Sequence, residues 1–315
     1  MNHIKELAHI AYTYIFCRLL ATNRFAIASR LKVRFKSWER EITKAFKNID
    51  KYGMPLFKRV EIETLNRCNG LCSFCPVNKK DEVRPLAKMT NELFEKIICE
   101  LHDLDYSGTL ALFGNNEPFL DTRIEKFAEL ARKQLPKARI EVFTNGTVLK
   151  LDRFIEIMPN LDYMVIDNYC DDFKWHESVK AIRKYLKSNP EHRKKVTIRM
   201  RKESALMSTR GGQAPNNKTQ KTLSISCLHP FYHLSIRPDG KISLCCNDAL
   251  GKYTLGDISK SSMKDVWFGE TYVKIREQIR RGRAELELCK YCDSYANLAM
   301  LHIEREYSSE NADRP

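Results

Sequence analysis

The stretch that most constrains this chain is Cys68-Asn69-Gly70-Leu71-Cys72-Ser73-Phe74-Cys75-Pro76. It sets three thiols in a C-x3-C-x2-C array directly behind an apolar, alternating run, Val60-Glu61-Ile62-Glu63-Thr64-Leu65. A strand ending in a loop that wraps three thiolates around one object suits a cubane iron–sulfur cluster, whose irons take Cys ligands. Three ligands leave one iron position open, which separates a catalytic metal site from a structural one. With 11 Cys in 315 residues, chance places such a triplet on the order of 0.01 times per chain. Zinc completed by a distant fourth ligand is the alternative occupant.

The eleven cysteines read as metal ligands rather than a disulfide framework, and redox clusters need a reducing compartment, so a cytoplasmic protein is expected. At 43% hydrophobic content the chain can bury one full-sized core and a smaller module. Lys5, Glu6, His9 and Arg18 interrupt the apolar N-terminal stretch, and no uncharged apolar run is long enough for a membrane span. No small-residue cleavage site marks a signal peptide. The net charge is +14, and residues 1–59 hold 13 Lys/Arg against 4 Asp/Glu, a surplus of +9. Such a segment reads as a solvated helical cover, or as a peripheral contact with an anionic membrane surface through residues 1–55. Nucleic-acid binding is not expected, because Tyr12, Tyr14, Phe16, Phe25, Phe35 and Trp38 fall at core-like spacings.

Residues 1–55 read as an N-terminal helical extension ending at Gly53 and Pro55. Strands then alternate with helices: strands at Val60–Leu65, Thr109–Phe113, Ile140–Phe143, Tyr163–Ile166 and Val196–Met200, helices at Thr90–Leu104, Thr122–Leu135, Leu151–Met158 and Glu177–Leu186. This is an α/β pattern with a parallel sheet, which gathers function at the C-terminal ends of the strands. Three strand ends carry polar motifs: Gly114-Asn115-Asn116-Glu117-Pro118, Phe143-Thr144-Asn145-Gly146 and Asp167-Asn168-Tyr169. Asn-Gly is also a common turn dipeptide, and the Asp167 segment reads equally well as a helix N-cap.

The array with Phe74 before its last cysteine, followed by these strand ends, resembles the radical S-adenosylmethionine (SAM) superfamily. The resemblance implies a partial (β/α)6 TIM-like barrel over residues 56–216. Cys68, Cys72 and Cys75 would hold a [4Fe–4S] cluster whose open iron chelates SAM, with Phe74 beside the adenine. Gly114, Asn116 and Glu117 would hold the SAM amino group, Thr144 and Asn145 would lie near the methionine and ribose, and Asp167 would meet a ribose or substrate hydroxyl. Asn116 stands where glycine is common. One electron from the cluster cleaves SAM to methionine and a 5′-deoxyadenosyl radical, which abstracts a substrate hydrogen. A flavodoxin- or ferredoxin-type donor would supply that electron.

Residues 221–296 read as a second, hairpin-plus-helix module, with 297–315 as a tail. Cys227 and Cys245 flank an apparent hairpin, His233–Ile236 and Lys241–Leu244, around Pro238-Asp239-Gly240. Cys289-Lys290-Tyr291-Cys292 follows a helix over Met263–Arg281. Four thiolates fit a structural zinc or a fully ligated [4Fe–4S] cluster, and spacing leaves both open. Cys227, Gly240, Cys245, Trp267 and the C-x2-C pair resemble the SPASM/twitch module of radical SAM enzymes, in its short form with one auxiliary cluster. That short form resembles the aminocyclitol dehydrogenases of the superfamily. There an arginine between barrel and first auxiliary cysteine meets the substrate hydroxyl, and Arg210 matches its position. Ser208–Pro215 is expected to close the barrel.

Cys246 is a candidate thiol near the active site, although neighbours on a strand face opposite ways, which turns it outward. Cys17, Cys99 and Cys170 read as small buried hydrophobes, and His229 and His233 as ordinary hairpin residues. The resulting expectation is a radical SAM oxidoreductase with two [4Fe–4S] clusters that dehydrogenates a carbinol of a sugar- or aminocyclitol-like metabolite; an anionic or peptide substrate is also compatible. The rivals are a radical SAM epimerase or peptide-modifying maturase and, in another class, a non-catalytic zinc-binding module.

Overall fold

The computed structural model describes residues 39–79, 82–219 and 221–294. The expectations for residues 1–38, including Cys17, and for the 297–315 tail lie outside these. The chain forms two compact units, Met1–Met54 and Pro55–Pro315. In the first, residues 39–52 form a helix, α1, stopped at Gly53, whose φ of 83° no other residue type adopts readily.

The second unit is built on one seven-stranded sheet: β1 (Arg59–Ile62), β2 (Thr109–Ala111), β3 (Arg139–Thr144), β4 (Tyr163–Tyr169), β5 (Val196–Arg201), β6 (His233–Ile236) and β7 (Ile242–Ser243). The spatial order is β5-β4-β3-β2-β1-β6-β7. β1 to β6 are mutually parallel, and β7 returns antiparallel to β6. Helices α2 (Asn91–Asp103), α3 (Ile124–Gln134), α4 (Leu151–Ile157) and α5 (Glu177–Lys187), with the short α6 (Pro190–Lys194) before β5 and α7 (His229–Tyr232) before β6, connect the parallel strands, the arrangement of a partial radical SAM barrel. α2 begins where the Thr90 hydroxyl accepts the Leu93 N–H. It buries Phe94, Ile97, Ile98 and Leu101, and Phe94 stacks on Phe127 of α3 at 4.0 Å between ring centroids.

Alternation divides the strands into two faces. Val60, Ile62, Leu110, Ile140, Val142, Met164 and Ile166 are fully buried apolar residues. Apart from the aliphatic Ala111 and Val165, the residues between them are polar or aromatic and meet one another: Arg59 pairs with Glu141 at 2.5 Å, Ser235 donates to Glu61, and Phe113 stacks on Phe143 at 4.4 Å. Buried charges persist because they are paired. This inner face is polar, unlike a hydrocarbon-filled barrel core.

Three features differ from the sequence expectation. The first hairpin strand, β6, hydrogen-bonds to β1 and takes the sixth parallel position. The segment expected to close the barrel, Ser208–Pro215, instead packs on the Cys289–Cys292 loop: Thr209 donates from its backbone to Asp293 Oδ1 at 2.8 Å and from its hydroxyl to Tyr291 O at 2.7 Å. The single helix expected over Met263–Arg281 is two, α8 (Met263–Phe268) and α9 (Glu270–Arg281). Gly269 separates them in extended conformation, where a Cβ would lie 2.8 Å from Asp265 O. The break lets Trp267 bury completely, with its indole N–H donating to Pro55 O at 2.9 Å and the Arg276 guanidinium 4.2 Å over its ring. Among the described residues, no helix is long and apolar enough to cross a membrane.

Candidate active site

The loop after β1 is held before any ligand is considered. The Asn66 side chain donates to Pro85 O and accepts the Ala87 N–H, clamping the loop to the segment that leads into α2. Cys68 Sγ accepts the Gly70 N–H at 3.3 Å, the Asn78 amide donates to Cys68 O, and Cys75 N–H bonds Cys72 O. Ser73 is tied by its N–H and hydroxyl to Glu203 O beyond β5. Cys68, Cys72 and Cys75 therefore share the wall of one cavity of about 420 Å³, which Phe74, Gly114, Asn116, Glu117, Thr144, Asn145, Asp167 and Arg210 also line.

Each strand end contributes a defined group. Glu117 is 1% exposed and accepts three bonds: from Thr144 Oγ1 at 2.7 Å, from Asn145 N–H at 2.7 Å and from Phe119 N–H at 3.1 Å. Burial pushes its pKa to about 7, against those donors. Its carboxylate thus ties the β2 end to the β3 end, leaving room for few further donors. Asn145 turns its amide toward Cys68 Sγ at 3.8 Å and bonds Asn69 Oδ1. Gly146 follows at φ 75°, where a Cβ would stand 2.6 Å from Ile166 Cγ2. Asn116 Oδ1 accepts the Gly114 N–H, while its Nδ2 and Asn115 Oδ1 are buried without a partner. Phe74 meets Tyr169 at 5.4 Å between ring centroids. Asp167 lies inside β4 rather than after it and is gripped by Arg199 at 2.6 Å and Arg201 at 2.8 Å.

The second constellation is Cys227, Cys245, Cys289 and Cys292, all buried. Burial drives the Cys245 thiol far up, with further upward pushes from Cys246, Cys227, Cys289 and Cys292, so these sulfurs sit close enough to repel as thiolates. The buried Arg283, held by Ile225 O and Ser294 O, favours the thiolate forms of Cys289 and Cys292. Between the two sets stands Arg210, at φ 51° and followed by Gly211 and Gly212 at φ 62° and 80°. Three successive left-handed residues, one of them a non-glycine, are a strained turn. Its Nη1 donates to Cys246 O at 3.4 Å, Asn115 donates to the same carbonyl at 3.1 Å, and its guanidinium also bonds Cys75.

Both donor sets fit iron–sulfur clusters. Burial pushes the Cys68 and Cys72 thiols to about 11 and about 12, so three or four buried thiolates demand a cationic metal core. Three sulfurs beside a cavity with two orphaned amide groups suit a cluster that also takes a polar ligand; four enclosed sulfurs suit a closed one.

Other placements depart from the sequence. The Cys246 thiol is turned inward, 4.0 Å from His229 Nε2, because Cys245 and Cys246 lie past the two-residue β7 and strand alternation does not govern them. Cys99 is exposed on α2. Asn168 caps the turn before α5 by accepting the His176 N–H. Asn115 and Tyr169 stood in the sequence only as members of their motifs, with no role of their own, and Arg201 was missed; its alternate position to Arg199 on β5 is the signal that points to it.

The fold and these two sites define an iron–sulfur enzyme with an open, ligand-taking cluster and a closed auxiliary one. The model of the radical SAM superfamily matches residues 62–203, and that of an iron–sulfur cluster-binding domain, SPASM, matches residues 227–293. The chain carries a radical SAM domain and a C-terminal SPASM domain, and with them it is a SAM-dependent iron–sulfur oxidoreductase with one SAM-binding and one auxiliary [4Fe–4S] cluster. It is similar to the S-adenosyl-L-methionine-dependent 2-deoxy-scyllo-inosamine dehydrogenase of Niallia circulans, 24% identical over 241 residues, covering 76% of this chain and 94% of that one. Its fold is similar to the crystal structure of BtrN in complex with AdoMet and 2-DOIA, at TM-score 0.67 and 22% identity, covering 77% of this chain and 95% of that one. An open conformation of BtrN matches at TM-score 0.56 and 21% identity over 77% and 94%.

Proposed function

We propose that this enzyme oxidises a carbinol of a small, polar, sugar- or aminocyclitol-like metabolite to the ketone. When bound, SAM and its cluster supply the hydrogen-abstracting radical, and the auxiliary cluster supplies a one-electron acceptor. Removing a carbinol C–H hydrogen leaves a carbon that must still lose one electron and the hydroxyl proton. The observation that carries the reading is Arg210, whose guanidinium meets both Cys75 and the Cys246 carbonyl beside the four-cysteine site. A planar fork of donors there holds a hydroxyl oxygen in place between the two cluster sites. Arginine stays protonated, so it positions the oxygen rather than receiving its proton. A dehydrogenase name on a relative matched over nearly its whole length supports the same reaction class.

Epimerisation, the rival, needs a hydrogen donor on the opposite face of the substrate. Cys246 is the candidate thiol, yet it faces His229 and only its carbonyl meets Arg210. The discriminating experiment incubates the two-cluster enzyme with SAM, a reductant and a panel of aminocyclitols and sugars. Product two hydrogens lighter than substrate, formed with 5′-deoxyadenosine, is expected; product of unchanged mass would replace dehydrogenation by epimerisation.

Phe74, Gly114, Asn116, Glu117, Thr144, Asn145 and Asp167 form the SAM and substrate side of the cavity in this reading. Glu117 acts chiefly by fixing the Thr144–Asn145 turn. In Glu117→Gln one amide N–H₂ replaces an acceptor opposite the Asn145 N–H or the Thr144 hydroxyl. Losing bonds to a charged group costs about 1.5–3 kcal/mol, so SAM affinity measured by calorimetry falls about 10–100-fold while iron content holds. Unchanged affinity would remove Glu117 from the SAM site. The initiating electron comes from a flavodoxin- or ferredoxin-type protein, for which exposed Leu71, next to Cys72, is the nearest apolar approach.

A further inference from the structure

We propose that His229, His233 and Cys246 form a third metal site, for one mononuclear, borderline-soft divalent cation such as zinc, with Glu61 orienting His233. The three residues come from helix α7 (His229–Tyr232), the start of β6 and the loop after β7. Each offers one donor atom, and these atoms lie within 4.8 Å of one another. None belongs to either cluster set. Two imidazoles and one thiolate are the donor mixture that zinc takes in a tetrahedral site.

The hydrogen bonding of the group points to a ligand. His229 and His233 are 3% and 1% exposed, and their Nδ1 atoms face each other at 3.2 Å. His233 Nε2 has no hydrogen bond and lies 3.6 Å from Glu61 Oε2. A neutral imidazole carries one N–H. If His233 turns it toward the carboxylate, its Nδ1 presents a lone pair to His229, as in a carboxylate–histidine–metal triad. A cation bound by His233 Nδ1, by His229 and by the Cys246 thiolate, which stands 4.0 Å from His229 Nε2, takes the place of the histidine–histidine hydrogen bond.

Charge also balances. Arg59, the nearest cation on β1, is already paired with Glu141 at 2.5 Å. A divalent ion is matched by the Cys246 thiolate and the Glu61 carboxylate, while the buried Arg210, which also faces both, is paired with the Cys75 sulfur. Zinc bonds of about 2.0–2.3 Å set donors about 3.3–3.7 Å apart, so the longest edge must shorten by about 1 Å. The fourth position falls to water.

The test uses the full chain, purified without oxygen and loaded with both clusters, given one equivalent of zinc chloride and desalted. Zinc K-edge X-ray absorption reads this metal without interference from iron. About one zinc per chain, with one sulfur near 2.3 Å and nitrogen or oxygen near 2.0–2.1 Å, is expected. His233→Asn should retain at least tenfold less zinc, and Glu61→Gln should weaken binding about 10–100-fold, each with unchanged cluster absorption. No retained zinc, or zinc in a sulfur-only shell as the Cys227–Cys292 set would give, overturns the proposal. The unsubstituted protein's spectrum decides even if a variant fails to fold.

Discussion

Replacing Cys68, Cys72 and Cys75 together by Ala should halve the iron content of the reconstituted enzyme, from about eight to about four per chain, because two four-iron cubanes become one. Reductive cleavage of SAM should disappear entirely. The remaining iron should sit in the Cys227, Cys245, Cys289 and Cys292 set, which is buried apart from the SAM cavity. The fold should survive, since the loop is clamped through Asn66, Ser73 and Asn78 as well as through sulfur. Iron near four in the unsubstituted protein would remove the auxiliary cluster; iron still near eight in the triple variant would remove the SAM-binding one.

Arg210→Ala should lower product formation about 10²-fold, the order expected when a reacting group is held about 1 Å out of place. 5′-Deoxyadenosine should still form, because all three cluster cysteines and Glu117 remain and only one bond to the Cys75 sulfur is lost, so radical generation and product become uncoupled. Arg210→Lys keeps the charge but not the fork and should recover only part of the loss. Cys246→Ala should turn over near the normal rate in the assay for ketone product. If Cys246→Ala instead makes 5′-deoxyadenosine and stalls before product, its thiol supplies a hydrogen and the reaction is epimerisation.

The chemistry was legible where covalent demands fix spacing. Three thiolates on one cluster need a short loop, so Cys68, Cys72 and Cys75 stand out from the sequence alone. The period-2 runs gave the first five strands, and only their ends moved: β4 runs on through Tyr169 and takes Asp167 with it. The local pattern does not say which strand pairs with which. β6 reads as half of a hairpin, and its parallel pairing with β1 follows from the whole sheet. The turn of Cys246 toward His229 was hidden for a related reason. Alternation applies only within a ladder, and the ladder stops at Ser243. Gly269 could have been recognised as a helix stop, but apolar spacing on both sides masks it.

The pairing of β6 with β1 has a consequence for how the protein is made. Glu61 and Ser235 are 174 positions apart, so at about 5–20 residues per second the ribosome needs roughly 9–35 s to deliver the partner strand. Throughout that interval β1 offers one row of unpaired backbone groups, the kind of edge that recruits other chains. Such a long-range parallel pairing is also slow to form once available. The first half of the chain must therefore wait, shielded, for the second. Cluster loading belongs after synthesis, and a fragment that ends before residue 233 should associate with itself rather than fold.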